Sequence, residues 1–242
     1  NMAEYQALEF AGEGVATLSM QERMTLSNMS AELGAQAGII APDAVTAEWL
    51  DTYAPERTLV DGMPDTYWQS DVGSHCGPFY SVDLDTLSPY AAAPHSPANA
   101  APLNDHDSPE FTIAYIGACT GAKLVDLRAA AKILKGKRIA SSMWLLIAPA
   151  SLADQQAARD EGLIKIFEEA GARFLPTACG MCAGYGVDRL GAEDICISST
   201  ARNFKGRMGD AGSQVWLASP ASVAAAALTG KLTDPRHLVS DI

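Results

Sequence analysis

No apolar run in this sequence approaches the ~20 residues that a membrane-spanning helix needs; the longest, Met143–Ala150 and Val223–Leu228, stop far short. The opening residues carry no basic-then-apolar signal segment, so neither a membrane span nor export is expected. Basic residues are scarce, 17 against 29 acidic, which leaves a formal net charge of −12. A chain so charged repels DNA, RNA and anionic lipid, and nucleic acid and membrane surfaces are excluded as expected partners. The charged fraction is only 19% against 48% hydrophobic, and the 20 glycines follow no repeat. Disorder, collagen and coiled coil fall away on that balance. Cysteines are few and odd in number, five in 242 residues, and a chain of this length needs no disulfide staples to fold. A reducing, cytoplasmic setting is expected, with the thiols used for metal or redox chemistry.

What is present divides into two halves. Ser19-Met20-Gln21-Glu22 is a capping box, and helix-compatible residues follow to about Ala37. Asn28 and Glu32 then stand four apart on one helical face. Asp43 is placed to cap a shorter helix containing Trp49 and Leu50, and Phe79–Val82 reads as a brief strand. From Leu84 to Glu110, five prolines interrupt any regular element. Beyond them a strand-then-helix pattern repeats. Strands are expected at residues 111–117, 143–148, 174–178, 194–198 and 215–219, with helices at 124–134, 151–170 and 222–228. Such alternation predicts an α/β fold with mostly parallel sheets covered by helices. Ligands in that architecture bind beyond the carboxyl ends of the strands.

Three cysteines map to those ends. Cys119 follows the first strand of the second half in I-G-A-C-T-G-A, and Cys179 and Cys182 follow the third in C-G-M-C-A-G. Three soft sulfur ligands without a fourth nearby suit an iron-sulfur cluster with one open iron, or a zinc site completed by histidine. A redox pair with a small buried Cys119 remains the plainer alternative. Arg202 and Arg207 lie five apart after another strand and are suited to hold carboxylates, or are ordinary surface arginines. Asn28 and Glu32 form either a polar handle on a ligand or a solvated helix face. The histidines, His75 beside Cys76 included, sit in loop-like sequence and read as structural or surface residues. Cys196 lies within a strand and reads as core.

The segments Leu8–Asp43, A-P-H-S-P-A-N (93–99), I-G-A-C-T-G-A (116–122), C-G-M-C-A-G (179–184), R-N-F-K-G-R-M-G (202–209) and L-A-S-P-A-S-V-A-A-A-A-L-T-G (217–230) together resemble the aconitase superfamily. Within it they are most similar to the large subunits of isopropylmalate isomerase and homoaconitase. The resemblance implies aconitase-like domains and a 4Fe-4S cluster bound by Cys119, Cys179 and Cys182. It also implies hydro-lyase activity on a hydroxy di- or tricarboxylic acid, with Arg202 and Arg207 on substrate carboxylates and Asn28 and Glu32 around cluster and substrate. Two positions depart from the family pattern: Gly121 and Ala201 stand where the family usually has asparagine.

The expected organisation is residues 1–83 as part of an aconitase-type domain, 84–110 as a Pro-rich linker and 111–242 as the iron-sulfur-binding domain. The resemblance further implies an amino-terminal region with site histidines and aspartates, and a small subunit or swivelling domain with a catalytic serine. Neither motif is found in this sequence, so the chain is expected to be inactive alone. The competing expectation, motivated by Gly121 and Ala201, is a non-catalytic cluster-binding or subunit-interaction protein derived from the same family.

Overall fold

The computed structural model describes residues 3–55, 68–74 and 77–239. The chain divides into two compact units, Asn1–Leu87 and Ser88–Ile242. His75 and Cys76 lie outside the described residues.

The first unit holds β1 (Ala7–Glu9), α1 (Glu13–Ala16), α2 (Met20–Met29), β2 (Ala37–Ile39) and α3 (Ala44–Tyr53). β1 and β2 pair in parallel. The capping box forms as expected, with the Glu22 amide donating to Ser19 Oγ and Glu22 accepting from the Ser19 amide. The α-helix does not run to Ala37, however. It ends at Met29, tightens into a 3-10 turn over Ser30–Leu33, and closes at Gly34 in the left-handed conformation (φ 85°), which glycine adopts at little steric cost. The chain must turn there because Ala37–Ile39 is needed beside β1. Phe79–Val82 forms no strand: its large side chains are exposed, and no described strand pairs with it.

Asp43 does cap α3, accepting from the Val45 and Thr46 amides. It does a second job as well. Arg23 on α2 is buried, and its guanidinium makes a two-pronged contact with Asp43 at 2.6 and 2.8 Å, while Nε donates to the Leu18 carbonyl at 3.0 Å. One carboxylate thereby starts α3 and neutralises the cation that α2 buries.

The second unit is a seven-stranded sheet in the order β4-β3-β9-β8-β5-β6-β7. Its strands are β3 (Tyr90–Ala92), β4 (Ala100–Pro102), β5 (Ile113–Gly117), β6 (Trp144–Ala148), β7 (Arg173–Phe174), β8 (Ile195–Ser198) and β9 (Gln214–Ala218). The pairs joining β5 through β9 are all parallel; β3 alone runs the other way, antiparallel to both of its neighbours, β9 and β4. Here the expectation of a linker over 84–110 needs correction. Its prolines flank the short strands or, at Pro102, end one of them, and β3 and β4 form one edge of the sheet. Prolines are tolerated at such edges, where an N–H is dispensable.

The helices are α4 (Ala118–Gly121), α5 (Leu124–Leu134), α6 (Leu152–Asp160), α7 (Leu163–Ala170) and α8 (Pro220–Thr229). The single helix expected over 151–170 is broken in two by Gly162 at φ 74°. Residues alternate between two cores, as a pleated strand requires. Ala114, Ile116, Leu145, Ile147 and Ile197 pack beneath the helices, whereas Tyr115, Leu146, Ala148 and Cys196 face the other side with Leu175, Met181, Leu190 and Met208. Segments without α-helix cover that second face, and two of the three candidate cysteines are on them. No helix among the described residues is long and apolar enough to cross a membrane.

The Arg23–Asp43 contact gives a pH prediction. Arg23 holds the Asp43 carboxyl below its ordinary value of 3.8. A lowered carboxylate pKa contributes stability that is present above the unfolded value and is lost as pH falls through the folded one. Asp43→Asn should remove that acid limb and cost about 2 kcal/mol, less than for a fully buried pair because the Asp43 side chain is 39% exposed. Hydrogen exchange of α2 and α3 amides as a function of pH measures both effects.

Candidate functional site

The order of the central strands creates the site. From β5 the chain goes to β6 and β7 on one side, then returns to β8 on the other. At such a switch the connections leave in opposite directions, opening the space beyond the strand ends. Cys119 lies two residues past the end of β5, and Arg202 lies four past the end of β8.

A serine with no distinguishing local motif holds this corner together. Ser199 directly follows β8 and is buried. Its Oγ accepts from the Gly117 amide at 3.0 Å and donates to the Gly121 carbonyl at 3.0 Å, while its own carbonyl accepts from the Thr120 hydroxyl at 3.3 Å. The turn carrying Cys119 is thus fastened at both ends. Such fastening is needed, because Ala118 is held at φ 61°, a region that costs a non-glycine residue roughly 1–2 kcal/mol. Gly121 is equally constrained, since a side chain there would overlap Ser199.

Lys123 is the second residue not anticipated. It is almost fully buried, and its Nζ donates to the Thr120 carbonyl at 2.5 Å and to Asp126 at 2.7 Å. Burial pushes the Asp126 carboxyl up, and the Lys123 contacts oppose that shift. The only signal for this brace in the sequence is a lysine four residues after Cys119 in a chain poor in basic groups.

Cys179 and Cys182 follow β7, the first capping and the second lying within a 3-10 turn at Gly180–Ala183. Cys119 and Cys179 are exposed and Cys182 is half-buried. Burial pushes the Cys182 thiol up, the Arg207 guanidinium beside it pulls the other way, and the Cys119 and Cys179 thiols both push it up further. The three cysteines therefore share one electrostatic neighbourhood. Cys196 is fully buried in β8, where burial raises its pKa far above the ordinary value; it is a core residue, as its place in a strand suggested.

Arg207 Nε donates to the Cys182 carbonyl at 3.0 Å, so this arginine shapes the cysteine loop as well as facing its thiol. Arg202 is half-buried on the loop after β8. Thr200 reaches back to Ser198, and the buried Asn203 side chain donates to the Ala93 carbonyl at 2.9 Å. Residues expected to be linker thereby anchor the arginine loop. Asn28, at the end of α2, and Glu32, in the 3-10 turn after it, belong to the first unit.

Does this donor set suit an iron-sulfur group? Among the described residues, no three His, Cys, Asp or Glu side chains are grouped tightly enough to hold one metal ion. Thiolates around a cluster each bind a different iron and stand farther apart than ligands of a single ion. Three thiols, two of them exposed and both acting on the third, fit that wider requirement.

The clasp yields a prediction. Ser199→Ala leaves the Gly117 amide and Gly121 carbonyl without this partner, and should destabilise the second unit by roughly 1–3 kcal/mol. Chemical denaturation should show the loss, and the Cys119 thiol should react faster with iodoacetamide in the native state. Wild-type stability with unchanged Cys119 reactivity would remove Ser199 from this role.

The sequence matches the aconitase family (aconitate hydratase) over residues 3–112 and 106–230. Among curated relatives, it is 44% identical over 238 residues to the 3-isopropylmalate dehydratase large subunit of Campylobacter concisus, covering 98% of this chain and 55% of that protein. It is 37% identical over 239 residues to 3-isopropylmalate dehydratase large subunit 2 of Archaeoglobus fulgidus, covering 98% and 56%. With the probable large subunit from Methanothermobacter thermautotrophicus the identity is 39% over 236 residues, covering 98% and 55%. The chain thus spans about half the length of the curated relatives it matches. A match running from residue 3 to residue 230 takes in the cysteine turns, the clasp and the arginine loop alike, and the chain belongs to the aconitase family.

Proposed function

We propose that this chain is the cluster-binding and carboxylate-binding part of a hydro-lyase. Its substrate is a hydroxy di- or tricarboxylic acid such as isopropylmalate or homocitrate, and its cofactor is a 4Fe-4S cluster on Cys119, Cys179 and Cys182. The observation that carries the reading is the shared electrostatic neighbourhood of the three thiols at the strand ends, with Arg207 beside Cys182. Family membership and relatives named as 3-isopropylmalate dehydratase subunits support it. A bound cluster with one open iron supplies Lewis acidity toward the substrate hydroxyl.

The chain's own residues orient the acid. Arg202 and Arg207 each offer a planar fork of donors matched to a carboxylate. Arg207 commits Nε to the Cys182 carbonyl and its guanidinium lies beside the Cys182 thiol, so a carboxylate bound to this arginine would sit next to the cysteine loop. In this reading Asn28 and Glu32 supply further polar contacts to substrate. Removal of the carbon-bound proton is left to groups contributed by other parts of the enzyme, the amino-terminal region and the small subunit or swivelling domain of the family pattern. The exposed thiols of Cys119 and Cys179 suit a reducing compartment, and we place the protein in the cytoplasm.

Anaerobic reconstitution with iron and sulfide tests the cluster. Wild type and Cys196→Ser should take up iron and sulfide together, whereas Cys119→Ser, Cys179→Ser and Cys182→Ser should retain much less. Full uptake by all three latter variants would defeat the assignment. Dehydration of isopropylmalate, homocitrate and citrate should be absent with the reconstituted chain alone and appear on adding chains that supply both the amino-terminal region and the small subunit or swivelling domain. In that assembly, Arg202→Ala or Arg207→Ala should weaken diacid binding by roughly 1.5–3 kcal/mol, read by titration. Arg207→Lys keeps the charge but not the fork, and separates carboxylate binding from support of the cysteine loop.

A further inference from the structure

Tyr115 is the middle residue of β5, fully buried on the face away from the helices. Its hydroxyl has no hydrogen-bond partner among the described residues. A buried hydroxyl left unpaired carries an uncompensated desolvation cost, and phenylalanine would fill the same volume without it. A phenol in this place calls for an acceptor.

The geometry limits where that acceptor lies. Tyr115 and Gly117 are two residues apart on one strand and share a face. A side chain at Gly117 would overlap the distal end of the Tyr115 ring, so the ring leans along β5 toward its carboxyl end and the oxygen lies over Gly117. Only Ala118 separates that glycine from Cys119. Cys182 packs against the same apolar cluster. The Cys182 backbone N–H faces the oxygen, an approach that concerns only the acceptor side of the hydroxyl; no hydrogen bond of ordinary geometry forms there, and the O–H donor is left to find another partner. The absence of a Gly117 side chain keeps the ring in this position.

We infer that the Tyr115 hydroxyl donates a hydrogen bond to a sulfur of the group bound between Cys119, Cys179 and Cys182. A sulfur of that group would supply the acceptor that the described residues do not. This inference rests on the cluster reading above and adds a positioning residue to it. Hydrogen bonds to cluster sulfurs stabilise the more negatively charged reduced state and raise the reduction potential.

Tyr115→Phe tests the inference with two readouts other than turnover. In the anaerobically reconstituted chain, the cluster potential should fall by the equivalent of about a tenfold change in the one-electron equilibrium, ~59 mV. In the apo chain, melting temperature should be unchanged or slightly higher, because an unpaired buried phenol is removed. A role confined to packing would show the reverse, a lowered apo melting temperature at constant potential. Equal potentials at equal iron and sulfide loading would overturn this inference alone. Failure of the wild type to take up a cluster would overturn the cluster reading and this inference with it.

Discussion

The parallel pairing of β5 with β8 is the constraint on which the site depends. The register sets Tyr115 opposite Ser198, so both strands end at nearly the same level and the next residues of each face one another. Ser199 can then bond to Gly117 and Gly121 with a single hydroxyl. A shift of two residues would keep every side chain on its proper face and still destroy the clasp. The apolar alternation alone does not distinguish those registers. The hydrogen bonds at the strand ends do, since a mispaired register leaves buried backbone groups without partners.

The two faces of the sheet divide stability from chemistry. Beneath α5 and α8 the packing is almost wholly apolar, and the small side chains of Ala224–Ala227 are fully buried. The opposite face is different in kind. Its cover comes from the segments around Cys179–Leu190 and Met208, and it includes the unpaired Tyr115 hydroxyl and the half-buried Cys182. Arg207 opposes the desolvation of Cys182. Thiolates are favoured by nearby positive charge and disfavoured by burial, and at Cys182 burial prevails over the guanidinium.

Much of this was legible in the sequence. The strand-helix alternation after residue 110 fixed the class of the second unit, and the strand ends located Cys119, Cys179, Cys182 and the arginine loop. Capping residues Ser19 and Asp43 were readable because their contacts lie within three residues. What escaped was non-local. Residues 90–102 become strands because β9 and one another supply partners, information absent from a proline-rich segment of three-residue runs. Ser199 carries an ordinary side chain whose role arises only when β8 and β5 come together; Lys123 is the exception, a local brace whose contacts reach three residues either way. Asn28 and Glu32 illustrate a milder limit: the spacing was read correctly, but the helix tightens between them into a 3-10 turn.

Gly121 shows why a departure from a family pattern has to be interpreted through its surroundings. Counted as a missing amide, it suggests a site stripped of a polar group. In the folded turn, the direction a side chain would take from residue 121 runs into the Ser199 hydroxyl and carbonyl, the groups that secure Gly121 and Thr120. An asparagine on this backbone would have to displace Ser199 before it could reach a ligand, leaving the Gly117 amide without the clasp. Glycine at 121 and the serine clasp at 199 are therefore two parts of one packing solution. Ala201 lies on the arginine loop, outside that contact, so the two departures are physically separate.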